Sequence, residues 1–196
     1  MMSRTASINR TTKETDIAIE LDLDGSGAVL AETGVPFFDH MLDAFGRHGT
    51  FDLAIKATGD LEVDAHHTVE DVGIVLGSAI AQALGDKTGI RRFGDAAVPM
   101  DEALVLAAID ISGRGGLTYE VDLPIEVIGT FDTTLAKEFL VALATNAGLT
   151  LHVHSIAGEN SHHIIEAAFK AVARALRQAV EIDPRVTGVP STKGTL

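Results

Sequence analysis

The sequence predicts an α+β fold built by internal duplication: two sheets, each with one face covered by helices, stacked as an α/β sandwich. Two observations carry this. The motif His-His-x-x-Glu occurs twice, as His66-His67-Thr68-Val69-Glu70 and as His162-His163-Ile164-Ile165-Glu166. The stretches that precede the motifs also repeat: a shift of 88 takes Glu14 to Glu102, Asp22 to Asp110, Gly25 to Gly113 and Gly27 to Gly115. The repeat halves are placed at residues 1–95 and 96–196, forming one compact unit.

In the first half, Ile17, Ile19, Leu21 and Leu23 alternate strictly and run into the turn Asp24-Gly25-Ser26-Gly27, a strand followed by its glycine turn. Asp39 reads as the cap of a short helix with Met41, Leu42 and Phe45 inward. Phe51, Leu53 and Ile55 alternate as the next strand, and a short edge strand is expected after the turn at Gly59-Asp60. The first motif then opens a helix whose inner face is Val69, Val72, Leu76, Ile80 and Ala83.

The two motifs lie 96 apart, so the second half carries extra residues, which are placed at 123–134. Leu135, Phe139 and Leu143 mark the matching helix, and Leu149, Leu151 and Val153 the matching strand. The last helix runs from the second motif through Ile165, Phe169, Val172, Leu176 and Val180, and stops before Pro184. Each half thus reads strand, strand, helix, strand, helix, with room for one further strand. The tail Pro190-Ser191-Thr192-Lys193-Gly194 is polar and is expected to be mobile unless something binds it.

Composition narrows the chemistry. Apolar residues make up 46% of the chain, enough for a proper core. No cysteine is present, which excludes disulfides, zinc fingers and iron–sulfur sites and fits a cytoplasmic location. The N-terminal stretch has no apolar core, so a secretory signal is not expected. The longest unbroken apolar run, residues 103–109, is too short to span a bilayer. A net charge of -13 argues against nucleic acid and anionic membranes as partners.

Histidine and carboxylate at helical spacing form a transition-metal ligand pattern. On a helix Glu70 lies one turn from both His66 and His67, but adjacent histidines point about 100° apart and are poorly placed to share one ion. The simplest solution gives one histidine and the glutamate to one metal and the other histidine to a second. The plain alternative is two polar helix N-termini with solvated histidines. His40 precedes the first motif by 26 residues and Glu138 the second by 24. His40 is either an extra ligand or a helix-cap histidine, and Glu138 either a ligand or a surface glutamate. His152 and His154 are expected to face solvent from a strand, and His48 to complement a helix dipole.

Cations are scarce, so their placement matters. Arg91-Arg92, Arg114 and Lys193 each sit beside glycine or serine, the way a loop presents charge and backbone N–H groups to a phosphate.

Together these stretches resemble one family. Arg10-x-Thr-Lys-Glu14-Thr, Phe-Phe-Asp39-His40-Met-Leu, His66-His67-x-x-Glu70-Asp, Gly-Ile-Arg-Arg92-Phe-Gly, Met-Asp-Glu102, Ser-Gly-Arg114, His162-His163-Ile-Ile-Glu166-Ala and Pro-Ser191-Thr-Lys193-Gly look like imidazoleglycerol-phosphate dehydratase, in the family's order. The resemblance implies a hydro-lyase of histidine biosynthesis that converts imidazole glycerol phosphate to imidazole acetol phosphate and water. It implies a tandem repeat of a four-stranded sheet backed by helices, and a homo-oligomeric shell of twenty-four subunits. Active sites between subunits would each hold two manganese ions. The implied metal ligands are His40, His66, His67, Glu70, Glu138, His162, His163 and Glu166. Glu138 stands where histidine is common in the family, and manganese accepts carboxylate. The implied substrate contacts are Glu14, Arg92, Arg114, Ser191 and Lys193, with Glu14 moving the proton. Two rival readings are a di-metal phosphate-ester hydrolase, which needs a bridging aspartate, and a non-enzymatic metal-binding shell protein.

Overall fold

The computed structural model describes residues 4–196. The first half runs β1 (Thr5–Thr11), β2 (Thr15–Asp22), β3 (Val29–Glu32), α1 (Pro36–Gly49), β4 (Asp52–Gly59) and α2 (His66–Leu84). The second runs β5 (Phe93–Met100), β6 (Ala103–Asp110), β7 (Gly116–Glu120), a small hairpin of β8 (Val127–Ile128) and β9 (Phe131–Asp132), then α3 (Leu135–Ala147), β10 (Thr150–Ala157) and α4 (Ser161–Val180). The sheets are ordered β1-β2-β4-β3 and β5-β6-β10-β7, the same topology twice. In each, only the last strand runs parallel to its neighbour. The fold is thus α+β and internally duplicated, with two four-stranded sheets backed by helices.

Period-two patterning decides which sheet face is covered. In β2, Ile17, Ile19 and Leu21 are buried while Asp16, Ala18 and Glu20 are exposed. The buried faces meet helices: α2 lies on β1 and β2, and α4 on β5 and β6. Helices of one half then pack on helices of the other, α2 on α3 and α1 on α4. An aromatic stack joins the halves at the centre. Phe38 meets Phe139 edge-on at 5.2 Å, and Phe139 stacks on Phe169 at 5.2 Å, all three without solvent exposure. Such pairs each add about 0.5–1.5 kcal/mol beyond the area they bury.

Two expectations are corrected, at Gly59-Asp60 and at Asp39, and two features had not been placed in advance, β1 and the seating of the tail. β1 was not foreseen as a strand, because only Ala6 in it is fully buried and the hydrophobic signal is faint. No edge strand follows Gly59-Asp60; residues 61–63 form a turn that leaves Leu61 and Val63 exposed. Asp39 is not the helix cap. Helix α1 starts three residues earlier at Pro36, whose fixed φ suits a first turn, and Asp39 instead accepts hydrogen bonds from the amide and hydroxyl of Thr33 at 2.9 and 2.6 Å. The tail lies against the second half: the Gly89 amide donates to the Gly188 carbonyl at 2.9 Å, and Arg92 Nη1 to the Pro190 carbonyl at 2.9 Å. The extra residues at 123–134 hold the β8–β9 hairpin.

Helices α2 and α3 approach so closely that α2 needs glycine where they cross. A Cβ on Gly73 would stand 2.7 Å from the Phe139 carbonyl oxygen, and one on Gly77 2.7 Å from that of Leu143. Gly77→Ala gains about 1 kcal/mol of helix propensity. It also forces a backbone-on-backbone overlap, and overpacking costs about 1–3 kcal/mol. The expected result is a net loss of up to about 2 kcal/mol in denaturant unfolding. A variant as stable as the parent would show that α3 can slide without penalty.

Candidate metal centre and phosphate pocket

Helices α1 and α4 bring three sequence-predicted ligands together. One donor atom each from His40, His162 and Glu166 lie within 4.8 Å of one another. Among the described residues this is the one such group. His40 Nε2 is 3.1 Å and His162 Nε2 3.2 Å from Glu166 Oε2, the latter pair spaced one helical turn apart. Phe37 packs edge-on against the His162 ring at 5.1 Å and limits its rotation. Glu166 is buried, and its other oxygen is 2.6 Å from Lys170 Nζ, a turn further along. Burial pushes its pKa up, but Lys170 and His40 together outweigh this and hold the carboxyl below its ordinary value. An ionised carboxylate with two imidazoles is a donor set for a divalent transition metal.

The first half repeats the motif geometry without closing the group. His66 Nε2 is 3.7 Å from Glu70 Oε2, again one turn apart. Beside His66, a cavity of about 300 Å³ opens between the start of α2 and the start of α3. Glu138, half-buried, sits in the first turn of α3. It directly precedes the buried Phe139 and Leu140 as His40 directly precedes the buried Met41 and Leu42. By repeat pattern His66 and Glu70 are the counterparts of His162 and Glu166, and Glu138 that of His40, although among the described residues only the second trio closes to a group.

His67 and His163 point elsewhere. Their rings stand at 87° and 79° to those of His66 and His162, with centroids 6.2 and 6.1 Å apart. Each is held at Nδ1 by a carboxylate: His67 by Asp60 at 3.0 Å, His163 by Glu102 at 2.7 Å. Such a carboxylate orients the ring and leaves Nε2 as the donor to a metal. It also raises both histidine pKa values, while Glu102 is pulled down to about 2, mainly by His163. Sequence reasoning missed Asp60, Glu102 and Lys170 as partners. Signals existed for two of the three: Glu102 is the repeat counterpart of Glu14, and Lys170 lies four residues beyond Glu166.

The remaining histidines are settled by their surroundings. His48 does end α1, but burial, with Lys170 and Arg174 nearby, lowers its pKa, so Arg47 is the cation at that terminus. His152 is exposed as expected, whereas His154 is half-buried and paired with Glu120 at 3.1 Å.

Arg92, Arg114, Ser191 and Lys193 line one cavity of about 340 Å³. Arg92 is clamped by Asp110 at 2.7 and 3.1 Å and lies over the Phe93 ring at 4.8 Å. The Ser112 hydroxyl accepts from the Arg114 amide at 3.1 Å, and that of Ser191 from the Lys193 amide at 3.2 Å. Three cations, Arg92, Arg114 and Lys193, line this cavity in a chain of net charge -13, so the pocket is suited to an anion. It stands at the far end of α4 from the metal group, because the Arg92 amide donates to the Ala179 carbonyl at 2.9 Å. From Glu166 to Ala179 the helix rises about 20 Å. Glu14 is distant as well: it sits in the exposed turn before β2, near His67, with its carbonyl accepting from the Asp60 amide at 3.1 Å.

The chain is similar throughout to known proteins. The family model for imidazoleglycerol-phosphate dehydratase matches residues 33–176. Proteins named imidazoleglycerol-phosphate dehydratase from Acidiphilium cryptum and Desulforamulus reducens are 62% and 59% identical over 196 residues, covering all of both chains. The crystal structure of the dehydratase from Staphylococcus aureus superposes with a TM-score of 0.83 at 40% identity, covering 91% of this chain and 99% of that one. The structure from Pyrococcus furiosus also gives 0.83, at 42% identity, covering 96% and 100%.

The outer histidines predict a pH dependence. A histidine whose pKa is raised on folding adds stability that is full below its unfolded value, and loses it as pH rises through the folded value. A metal must displace the same proton, so uptake weakens as pH falls through the raised His67 and His163 values. Glu102→Gln removes the main cause at His163. In Mn²⁺ titrations of metal-free protein, the midpoint of uptake should therefore move to lower pH. An unmoved midpoint would show that Glu102 does not set the proton affinity of His163.

Proposed function

The chain belongs to the imidazoleglycerol-phosphate dehydratase family, and on that premise we propose that it dehydrates imidazole glycerol phosphate to imidazole acetol phosphate in histidine biosynthesis with the aid of two bound manganese ions. Membership makes it a hydro-lyase. The observation that supports the metal-dependent reading is the closed group of His40, His162 and Glu166. His66, Glu70 and Glu138 would hold the second ion. When bound, the two cations supply Lewis-acid stabilisation of negative charge on the imidazole ring. The metal group contains no bridging aspartate, so nothing favours a di-metal esterase.

The chain's own residues do the rest. Arg92, Arg114, Lys193 and Ser191 bind the phosphate through charge-assisted hydrogen bonds, which orients the glycerol carbons. Glu14 accepts the proton from C2, and the hydroxyl leaves C3. Proton and hydroxide together make the water released, and the enol formed becomes the acetol. Lys193 and Ser191 sit on the tail, so the pocket is complete only when the tail lies against Arg92.

One chain cannot grip both ends of this substrate. The metal group and the anion pocket are about 20 Å apart along α4, more than an imidazole ring with a three-carbon phosphate chain can bridge. His67 and His163 likewise face away from the inner ligands of their own chain. Both features support active sites shared between copies in a homo-oligomer, here a shell of twenty-four subunits.

Two outcomes are expected. Glu14→Gln should keep metal and substrate binding while kcat falls by about 10²–10⁴; normal turnover would remove Glu14 from the reaction. Glu14→Gln and Arg92→Ala proteins, each impaired alone, should regain part of the activity when unfolded together and co-assembled, because some sites then draw both intact residues from different copies. Mixed oligomers as inactive as their parents would place Glu14 and Arg92 in one chain's site and refute the shared arrangement.

A further inference from the structure

The turn that presents Glu14 stands on an ionic group that the reaction above does not use, with Asp71 buried and the Arg10 side chain 37% exposed. Asp71 in α2 accepts a hydrogen bond at Oδ2 from the Thr15 hydroxyl at 2.5 Å. The same oxygen is 2.5 Å from Arg10 Nη1, an ion-pair contact without hydrogen-bond alignment. Asp71 is 8% exposed and Thr15 4%. Thr15 follows Glu14, and the amides of both donate to the Thr12 hydroxyl at 3.0 and 3.1 Å. Asp71 follows Glu70 on the helix that carries His66 and His67. One carboxylate therefore ties the Glu14 turn to the helix that bears the metal ligands.

The second half of the chain serves as an internal control. The shift that takes Glu14 to Glu102 takes Arg10 to Val98 and Thr15 to Ala103, and the shift between the motifs takes Asp71 to Ala167. All three counterparts are buried and apolar. The same fold position is filled without charge, and the half closes around it. The second half thus shows that this fold closes around the position without the ionic version. What differs is the glutamate above it. Glu102 is held directly, by His163 and by the amides of Glu159 and Asn160 at 3.2 and 2.9 Å. The Glu14 carboxylate makes no hydrogen bond among the described residues, so only its turn is anchored. A proton acceptor must keep its carboxylate free, and its position must then come from the backbone beneath.

We propose that Asp71, with Thr15 and Arg10, is a positioning residue for the dehydration: it locks the Glu14 turn onto α2 so that a free carboxylate meets the substrate carbon at the metal-bearing end. This rests on the reading of Glu14 as the proton acceptor. The device works through Glu14 alone and touches neither metal nor substrate.

The test uses the full-length, metal-loaded oligomer and four variants: Asp71→Asn, the triple change Arg10→Val, Thr15→Ala and Asp71→Ala that copies the second half, Glu14→Gln, and the triple change combined with Glu14→Gln. The readouts are kcat, KM, bound metal and thermal midpoint. The triple variant should keep its metal, its midpoint and its KM while kcat drops about tenfold to a hundredfold, the scale for a misplaced catalytic group. Asp71→Asn, which keeps the volume and one hydrogen bond, should lose kcat less, with KM and metal again unchanged. Added to Glu14→Gln, the triple change should lower kcat no further. A triple variant with parental kcat overturns the proposal, as does a loss that multiplies in full with that of Glu14→Gln. Loss of metal or of the folded state in both the triple variant and Asp71→Asn also overturns it, because the group would then be structural. Full turnover in Glu14→Gln alone is a separate failure, that of the acceptor reading itself.

Discussion

An α-helix turns about 100° per residue, and that rotation decides where the side chains of each His-His motif can point. Adjacent histidines in each motif cannot converge on one ion. His162 joins Glu166 one turn on and His40 from the facing helix, while His163 swings out to Glu102. The same rotation sends His67 to Asp60 and leaves His66 beside Glu70. Everything else in the fold holds these helix starts still: sheets behind them, the Phe38, Phe139 and Phe169 stack between them, and glycines where α2 and α3 nearly touch.

Duplication copied the scaffold more faithfully than the chemistry. Both sheets have one topology, and β2 superposes on β6 residue for residue in sequence. The differences are local and chemical. His40 has Glu138 as its counterpart, Arg10 and Asp71 have Val98 and Ala167, and the cation-lined pocket is built from the second half with Arg92. A stable repeat can diverge at positions where an apolar and an ionic solution both fill the space. On the proposed reading of sites shared between copies, it can also place opposite ends of one site in different halves.

Much of this was legible in the chain. The alternation of Ile17, Ile19 and Leu21, the helical spacing from Val69 to Ala83, and the repeat itself specified the elements and their buried faces. What escaped had a physical reason. β1 is an edge strand with one fully buried residue, so its pattern is faint. The start of α1 depended on Pro36 at its first position, while Asp39 reached back to Thr33. Asp60 could not be foreseen as the partner of His67, because a turn carries no periodicity to say which way its side chains face.

By itself the sequence determined the duplicated α+β architecture and the divergent directions of the paired histidines, because hydrophobic period and helical spacing are local properties. Only the tertiary structure decided which donors meet. His40 reaches Glu166 across 126 residues of chain because α1 packs on α4. The tail meets Arg92 because the chain after α4 pairs with the segment just before β5, where the Asp183 amide donates to the Gly89 carbonyl and the Gly89 amide to the Gly188 carbonyl. The metal group and the anion pocket fall at opposite ends of one helix, since a rigid α4 of 20 residues separates whatever is fastened to its two termini.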